Sequence, residues 1–156
     1  MLDINPLLTI HAFDFAHSAI EILRAHPLVI GSDRILADVY DVVKDELPVA
    51  EGSQDLVLCM FVLSAIAQQA QAAVIGKLTK VLKPGGKLLI RDYGRYDEAQ
   101  LRFKKGSKLD DNFYVRQDGT CAYYFDTSEL KLMCEGDEND LTGLEEEECD
   151  YVLRQY

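Results

Sequence analysis

The 156 residues contain no tryptophan and few of the residues that build covalently or metal-stapled folds. The four cysteines, Cys59, Cys121, Cys134 and Cys149, show no CxxC spacing and are too sparse for a disulfide scaffold, so they read as reduced thiols in a cytoplasmic protein without a metal site. No apolar run is long enough to cross a membrane, since Leu56 to Ile66 is short and broken by Ser64. The opening MLDINPLLTI places no basic segment ahead of an apolar core, which gives no sign of a secretory or mitochondrial signal. No G-x-G-x-x-G occurs anywhere, and this argues against a nucleotide-dependent oxidoreductase. Internal repeats are absent too, and the one biased tract is Glu145 to Glu148.

What is present suits a single soluble domain: 48% of the residues are apolar and 28% charged. The net charge of −11 speaks at first against nucleic acid, yet it is unevenly spread. Residues 1–76 carry 3 basic and 10 acidic side chains, residues 77–116 carry 11 and 5, and residues 117–156 carry 2 and 12. A basic block therefore sits between two acidic ones. By itself it reads as a solvated face, and the glutamate run as a helix start or loop.

Along the chain the apolar pattern alternates between strand and helix. Thr9 to Phe13 reads as a strand ending at Asp14, followed by a helix started by Ser18 and Glu21 at capping-box spacing. Arg34 to Ala37 is a second strand running into Asp38, and Asp45 to Ser53, with Pro48 and Gly52, is a loop. Asp55 to Leu63 is a continuous apolar run, the pattern of a strand buried on both faces. Ala67, Ala70, Val74, Leu78 and Val81 then recur at helical spacing. Residues 9–90 thus predict a β-α-β-loop-β-α-β order, as in an α/β fold with a doubly wound parallel sheet. Beyond Asp97 the spacing predicts a short helix over Ala99 to Lys105. A hairpin of Asn112 to Arg116 with Cys121 to Phe125 follows, around Asp118-Gly119, and then a helix from Thr127 to Cys134 with Thr127 as its cap.

The chain is organised around Val81 to Asp97, VLKPGGKLLIRDYGRYD. Proline and two glycines make a sharp turn into the strand Lys87 to Ile90, which delivers Arg91, Asp92, Tyr93, Arg95, Tyr96 and Asp97 to its carboxyl end. Ligands bind at that end of the strands in open α/β sheets. A carboxylate just past a strand is placed to accept from both ribose hydroxyls, and Asp14 fits that position. Asp38, one strand on, fits an adenine amino group, whereas Asp55 reads as a strand-start turn residue. On spacing alone, Asp14 and Asp38 are equally well read as surface loop acids.

The strings FVLSAI (Phe61 to Ile66), VLKPGG, RDYGRYD (Arg91 to Asp97), LRFKKG (Leu101 to Gly106) and NFYVRQDGT (Asn112 to Thr120) resemble a methyltransferase-like family that makes 3-methylcytidine in transfer RNA. The resemblance runs from Asn5 to Leu130 and again, more weakly, from Gly143 to Tyr156. VLKPGG is shared widely among class I S-adenosylmethionine-dependent methyltransferases, while the other strings are more specific. The resemblance implies a Rossmann-like class I methyltransferase sheet, S-adenosylmethionine as cofactor, and methylation at N3 of a cytidine in the tRNA anticodon loop. It implies further that Asp14, Asp38 and Met60 contact the cofactor and that Arg91 to Asp97 border the target base. On that footing Asp92 is expected to stabilise the cationic product, with Asp97 second, and Tyr93 and Tyr96 to stack on a base. Arg91, Arg95, Arg102, Lys104, Lys105 and Arg116 are expected to hold RNA, and a protein partner such as a tRNA synthetase is a further expectation.

The sequence departs from that family where its first strand and glycine-rich loop would stand, and in its last strands. The family's N-terminal extension is also not seen. The expected domain is therefore one partial methyltransferase domain over 1–156, with core units at 9–97, a substrate-side segment at 98–130 and an acidic segment at 131–156. A non-catalytic scaffold protein, or a methyltransferase of small molecules or proteins, are the competing expectations.

Overall fold

A computed structural model describes residues 5–137, 140–141 and 143–152. Expectations that touch Met1 to Ile4, parts of CEGDENDLT and the last four residues lie outside the described residues. Two compact units form, Met1–Pro48 and Val49–Tyr156.

The first unit is β-α-β. Strand β1 (Ile10–Asp14) leads through helix α1 (His17–Arg24) to β2 (Ile35–Val39), which pairs with β1 in parallel from Ile10↔Ile35 to Asp14↔Val39. Ile20 of α1 is buried, as are Ala37 and Tyr40. The expected Ser18–Glu21 capping box does not form: the helix begins two residues earlier, and its N-cap, Ala16, has no side-chain cap. Instead the Asp14 carboxylate accepts from the Ala16 amide at 2.8 Å and turns the chain into the helix.

The second unit opens with β3 (Gln54–Met60), a 3₁₀ turn over Leu63–Ala65, helix α2 (Gln68–Lys80) and β4 (Leu82–Arg91), with β3 and β4 parallel. Strand β4 begins before the Pro-Gly-Gly turn. Leu82 pairs with Gln54 and Lys87 with Leu56, so the intervening turn bulges out of the ladder. Gly85 takes φ +78°, and a Cβ at Gly86 would lie 2.9, 3.1 and 3.2 Å from the carbonyl oxygens of Lys83, Gln54 and Asp55. Those are backbone atoms that cannot swing aside. Gly86→Ala is therefore expected to cost about 1–3 kcal/mol, read as a lower urea midpoint of the full chain. Lys83 Nζ donates to both Asp55 oxygens at 2.8 Å, in keeping with a structural part for that acid.

The inner face of α2 differs from the expected stripe. Gln71, Val74 and Ile75 are buried, whereas Ala67 is exposed. Strand β3 also stops at Met60 rather than Leu63, and it is not buried on both faces: Leu56, Leu58 and Met60, which alternate onto one face, are exposed. Among the described residues β3 pairs only with β4. The two parallel pairs form separate two-stranded sheets.

After β4, Asp97 caps the short helix α3 (Glu98–Leu101). An antiparallel sheet follows, of β5 (Lys108–Asp110), β6 (Phe113–Val115) and β7 (Cys121–Tyr123), in which the expected hairpin is β6–β7. Helix α4 (Thr127–Glu135) is capped by Asp126 in a box with Glu129, one residue before the expected cap. The short pair β8 (Gly136–Asp137) and β9 (Asp140–Leu141) ends the described elements. Leu63, Ile66, Val74, Ile75 and the run Ala122 to Phe125 make the core of this unit. Around Tyr124 the rings of Tyr93, Phe103 and Tyr114 gather at centroid distances of 5.7 to 6.2 Å. Such pairs contribute roughly 0.5–1.5 kcal/mol each beyond the burial of their area.

Candidate functional site

At the carboxyl end of β4 the segment Asp92 to Asp97 is pinned from several sides. Tyr93 O accepts from the Phe125 amide at 2.8 Å and the Arg95 amide donates to Phe125 O at 2.9 Å, which makes a parallel bridge between Gly94 and Phe125. Gly94 is required by close approach, since a Cβ there would lie 2.7 Å from the Tyr151 ring. These residues line a broad open cleft of about 2360 Å³ within the second unit.

Asp92 is the best-held acid of the segment. Its Oδ2 accepts from the buried Ser64 amide at 3.0 Å and its Oδ1 from the Tyr93 amide at 2.9 Å. Burial nevertheless pushes its carboxyl above the usual range, against the opposing pull of Ser64, Tyr93 and the Arg116 guanidinium. Ser64 is in turn fixed by Gln71, whose Nε2 donates at 3.1 Å to the carbonyls of both Leu63 and Ile66 and so clamps the turn after β3. Neither Ser64 nor Gln71 is singled out by spacing. The one signal for Gln71 is a polar residue beside apolar positions of α2.

The other expected residues separate into two groups. Arg116 lies over the Tyr93 ring at 4.9 Å and Arg91 over the Phe61 ring at 5.9 Å, so two guanidinium–aromatic pairs flank Asp92 in sequence and line the same cleft. Tyr96 is 80% exposed, Lys104 is exposed in that cleft, and Lys105 is exposed as well. Arg95, Asp97 and Arg102 already have structural partners. Arg95 donates to Glu129 at 2.8 Å, and Glu129 also accepts from Tyr123. Asp97 accepts from the Ala99 amide, and Arg102 pairs with Glu98. Tyr93 is half-buried between Phe61, Tyr124 and Arg116.

In the first unit Asp14 is exposed at the end of β1, with one oxygen on the Ala16 amide. Asp38 is more engaged: His11 Nε2 lies 2.8 Å from its Oδ2, and Arg24 donates to its Oδ1 at 2.7 Å. The hydrogen bond from His11, the Arg24 partner and their charges hold its carboxyl below the usual range. Met60, at the end of β3 in the second unit, is 43% exposed. Chemically, the acids at β1 and β2 suit hydroxyl and amino donors. The cleft of the second unit offers aromatic rings and guanidinium groups around Asp92, while Glu145 to Glu148 and Asp150 line its acidic side.

A methyltransferase-domain family model matches residues 2–144. Among curated proteins the chain is 48% identical over 131 residues to mouse (Mus musculus) tRNA N(3)-cytidine methyltransferase METTL2, which covers 83% of this chain and 33% of that protein. It is 46% identical over 128 residues to the chicken (Gallus gallus) METTL2, covering 81% and 34%. The chain thus spans about a third of the length of these relatives. A solved S-adenosylmethionine-dependent methyltransferase from Methanosarcina mazei superposes with a TM-score of 0.64 at 18% identity, over 80% of this chain and 66% of that one. That likeness shows the fold, a partial Rossmann-like methyltransferase sheet, in agreement with the strand and helix order. With the domain model matched through both units, the chain belongs to the methyltransferase-domain family.

Proposed function

We propose that the chain carries part of the domain of an S-adenosylmethionine-dependent methyltransferase that forms 3-methylcytidine in the anticodon loop of tRNA, with residues 1–156 as one partial domain. The observation that carries this is the conjunction of RDYGRYD, held around a half-buried Asp92, with 46–48% identity to the METTL2 proteins. The chemistry asks little of the protein. Neutral cytosine keeps an in-plane lone pair at N3, so no base is needed and catalysis reduces to alignment. When bound, S-adenosylmethionine supplies an electrophilic methyl group. The methylated base is cationic, and the Asp92 carboxylate would offset that charge, with Asp97 second. Tyr93 and Arg95 would order the segment that borders the base. Arg91, Arg102, Lys104, Lys105 and Arg116 would supply the phosphate contacts, which the basic block 77–116 supports.

For the cofactor, Asp14 suits the ribose and Met60 an apolar face of the ligand. Asp38 meets the adenine only by sharing its carboxylate with His11 and Arg24. The 156 residues hold no glycine-rich loop for the methionine end. The chain is therefore expected to bind S-adenosylmethionine weakly on its own. Isothermal titration checks this, and a low-micromolar affinity would contradict it.

Among the described residues no helix is long and apolar enough to cross a membrane. A cytoplasmic setting belongs to this proposal; the support for it is the sparse spacing of the four cysteines, without the density of a disulfide scaffold. A protein partner, such as a tRNA synthetase, belongs to it too. The exposed Leu56 and Leu58 on β3 support that partner as surface open to another polypeptide. Methyl transfer to tRNA, followed by identification of the methylated nucleoside, tests the reading.

A further inference from the structure

We propose that Phe61, with the Arg91 guanidinium beside it, is the platform on which an unpaired base of the RNA stacks. The inference rests on the RNA reading above and adds a residue to it. Phe61 is the first residue past β3 and adopts φ +56°, a left-handed conformation that glycine reaches freely and a bulky side chain does not. The conformation is held by a 2.7 Å hydrogen bond from its amide to the Arg91 carbonyl. Backbone strain of this kind collects at functional sites, and Phe61 is not spent on the core: it is 44% exposed while Tyr123, Tyr124 and Phe125 of the same unit are buried. Its contacts cover it only in part: Tyr93 leans on it at a tilt, 5.1 Å between centroids, and the Arg91 guanidinium stands over it at 5.9 Å, far enough for a base to share the ring with it. Both residues line the cleft that holds Asp92 and Arg116.

An aromatic face next to an arginine is the arrangement that takes single-stranded bases without regard to pairing, the ring stacking on the base and the guanidinium meeting the adjacent phosphate or base edge. A base in a loop is available for this, whereas one within a duplex is not.

Because the sequence has no tryptophan, Phe61→Trp places one fluorophore at the platform. Titrating that full-chain variant with a fluorescently labelled, cytidine-rich single-stranded RNA at low salt is expected to quench the indole emission in step with the rise in RNA polarisation. Phe61→Leu, with an unchanged circular dichroism spectrum, is expected to bind that RNA roughly five- to a hundredfold more weakly than the unaltered chain. RNA binding that leaves the emission unchanged, together with full affinity in Phe61→Leu, would overturn the platform and leave the RNA reading standing. Failure of the unaltered chain to bind RNA would overturn both. Quenching by S-adenosylhomocysteine but not by RNA would assign the ring to the cofactor and overturn the substrate role. If Phe61→Trp does not fold, the affinity of Phe61→Leu decides.

Discussion

Asp92→Ala is expected to slow methyl transfer on the order of a hundredfold and to lower stability by about 1–3 kcal/mol. The first effect follows from losing the carboxylate nearest the developing cation in the proposed reaction. The second follows from geometry, because alanine leaves the Ser64 amide, which is 1% exposed, without its 3.0 Å acceptor. The pH dependence separates the two effects. Burial raises the Asp92 carboxyl, so the folded chain holds that proton more tightly than the unfolded chain does. Wild-type stability contributed by this group is therefore fully present below the ordinary aspartate range and falls as pH rises through the raised value. Asp92→Ala lacks that fall, and its deficit against the unaltered chain is largest at low pH and shrinks toward neutrality. Urea midpoints at a series of pH values give the comparison. A deficit that grows with pH would mean that the ionised carboxylate is the stabilised form and that burial does not dominate.

Gln71→Leu is expected to have a comparable effect from a residue that touches no substrate. Gln71 is 2% exposed, and leucine matches it in size, so the change removes hydrogen bonds with little change in volume. The carbonyls of Leu63 and Ile66 then lose their 3.1 Å donor inside the core, at about 1–3 kcal/mol for each. The turn that carries Ser64 loosens with them, and with it the support of Asp92. Thermal denaturation should show a fall in Tm of roughly 5 °C or more, and hydrogen exchange should show faster exchange at the Ser64 amide. Unchanged protection at Ser64 would mean that Leu63 and Ile66 hold the turn by packing alone.

Much of the element order was legible because runs of apolar residues mark strands. The runs Thr9 to Phe13, Asp55 to Leu63 and Cys121 to Phe125 each contain a strand, at Ile10–Asp14, Gln54–Met60 and Cys121–Tyr123, offset by up to three residues. Caps were legible only to within a residue or two: the N-cap of α1 is Ala16 rather than Ser18, and at α4 Thr127 and Asp126 both have capping side chains, the one used depending on where Glu129 folds back. The exposure of Leu56 and Leu58 was not legible, since an apolar run does not state what covers each face of its strand. At the site, the acids at strand ends stood out in sequence. Their partners did not, because the Asp92 to Ser64 contact spans 28 residues and the His11 to Asp38 contact spans 27. Phe61 carries no sequence mark of its left-handed backbone at all.

The most direct test of the proposed activity is to incubate the chain with tRNA and a large excess of S-adenosylmethionine, digest the RNA to nucleosides and identify the methylated product by mass spectrometry. The account predicts 3-methylcytidine, formed on the order of a hundredfold more slowly by Asp92→Ala. Methylation at another position would contradict it, and so would bound tRNA left unmethylated, which would turn the chain into a scaffold that holds RNA without acting on it.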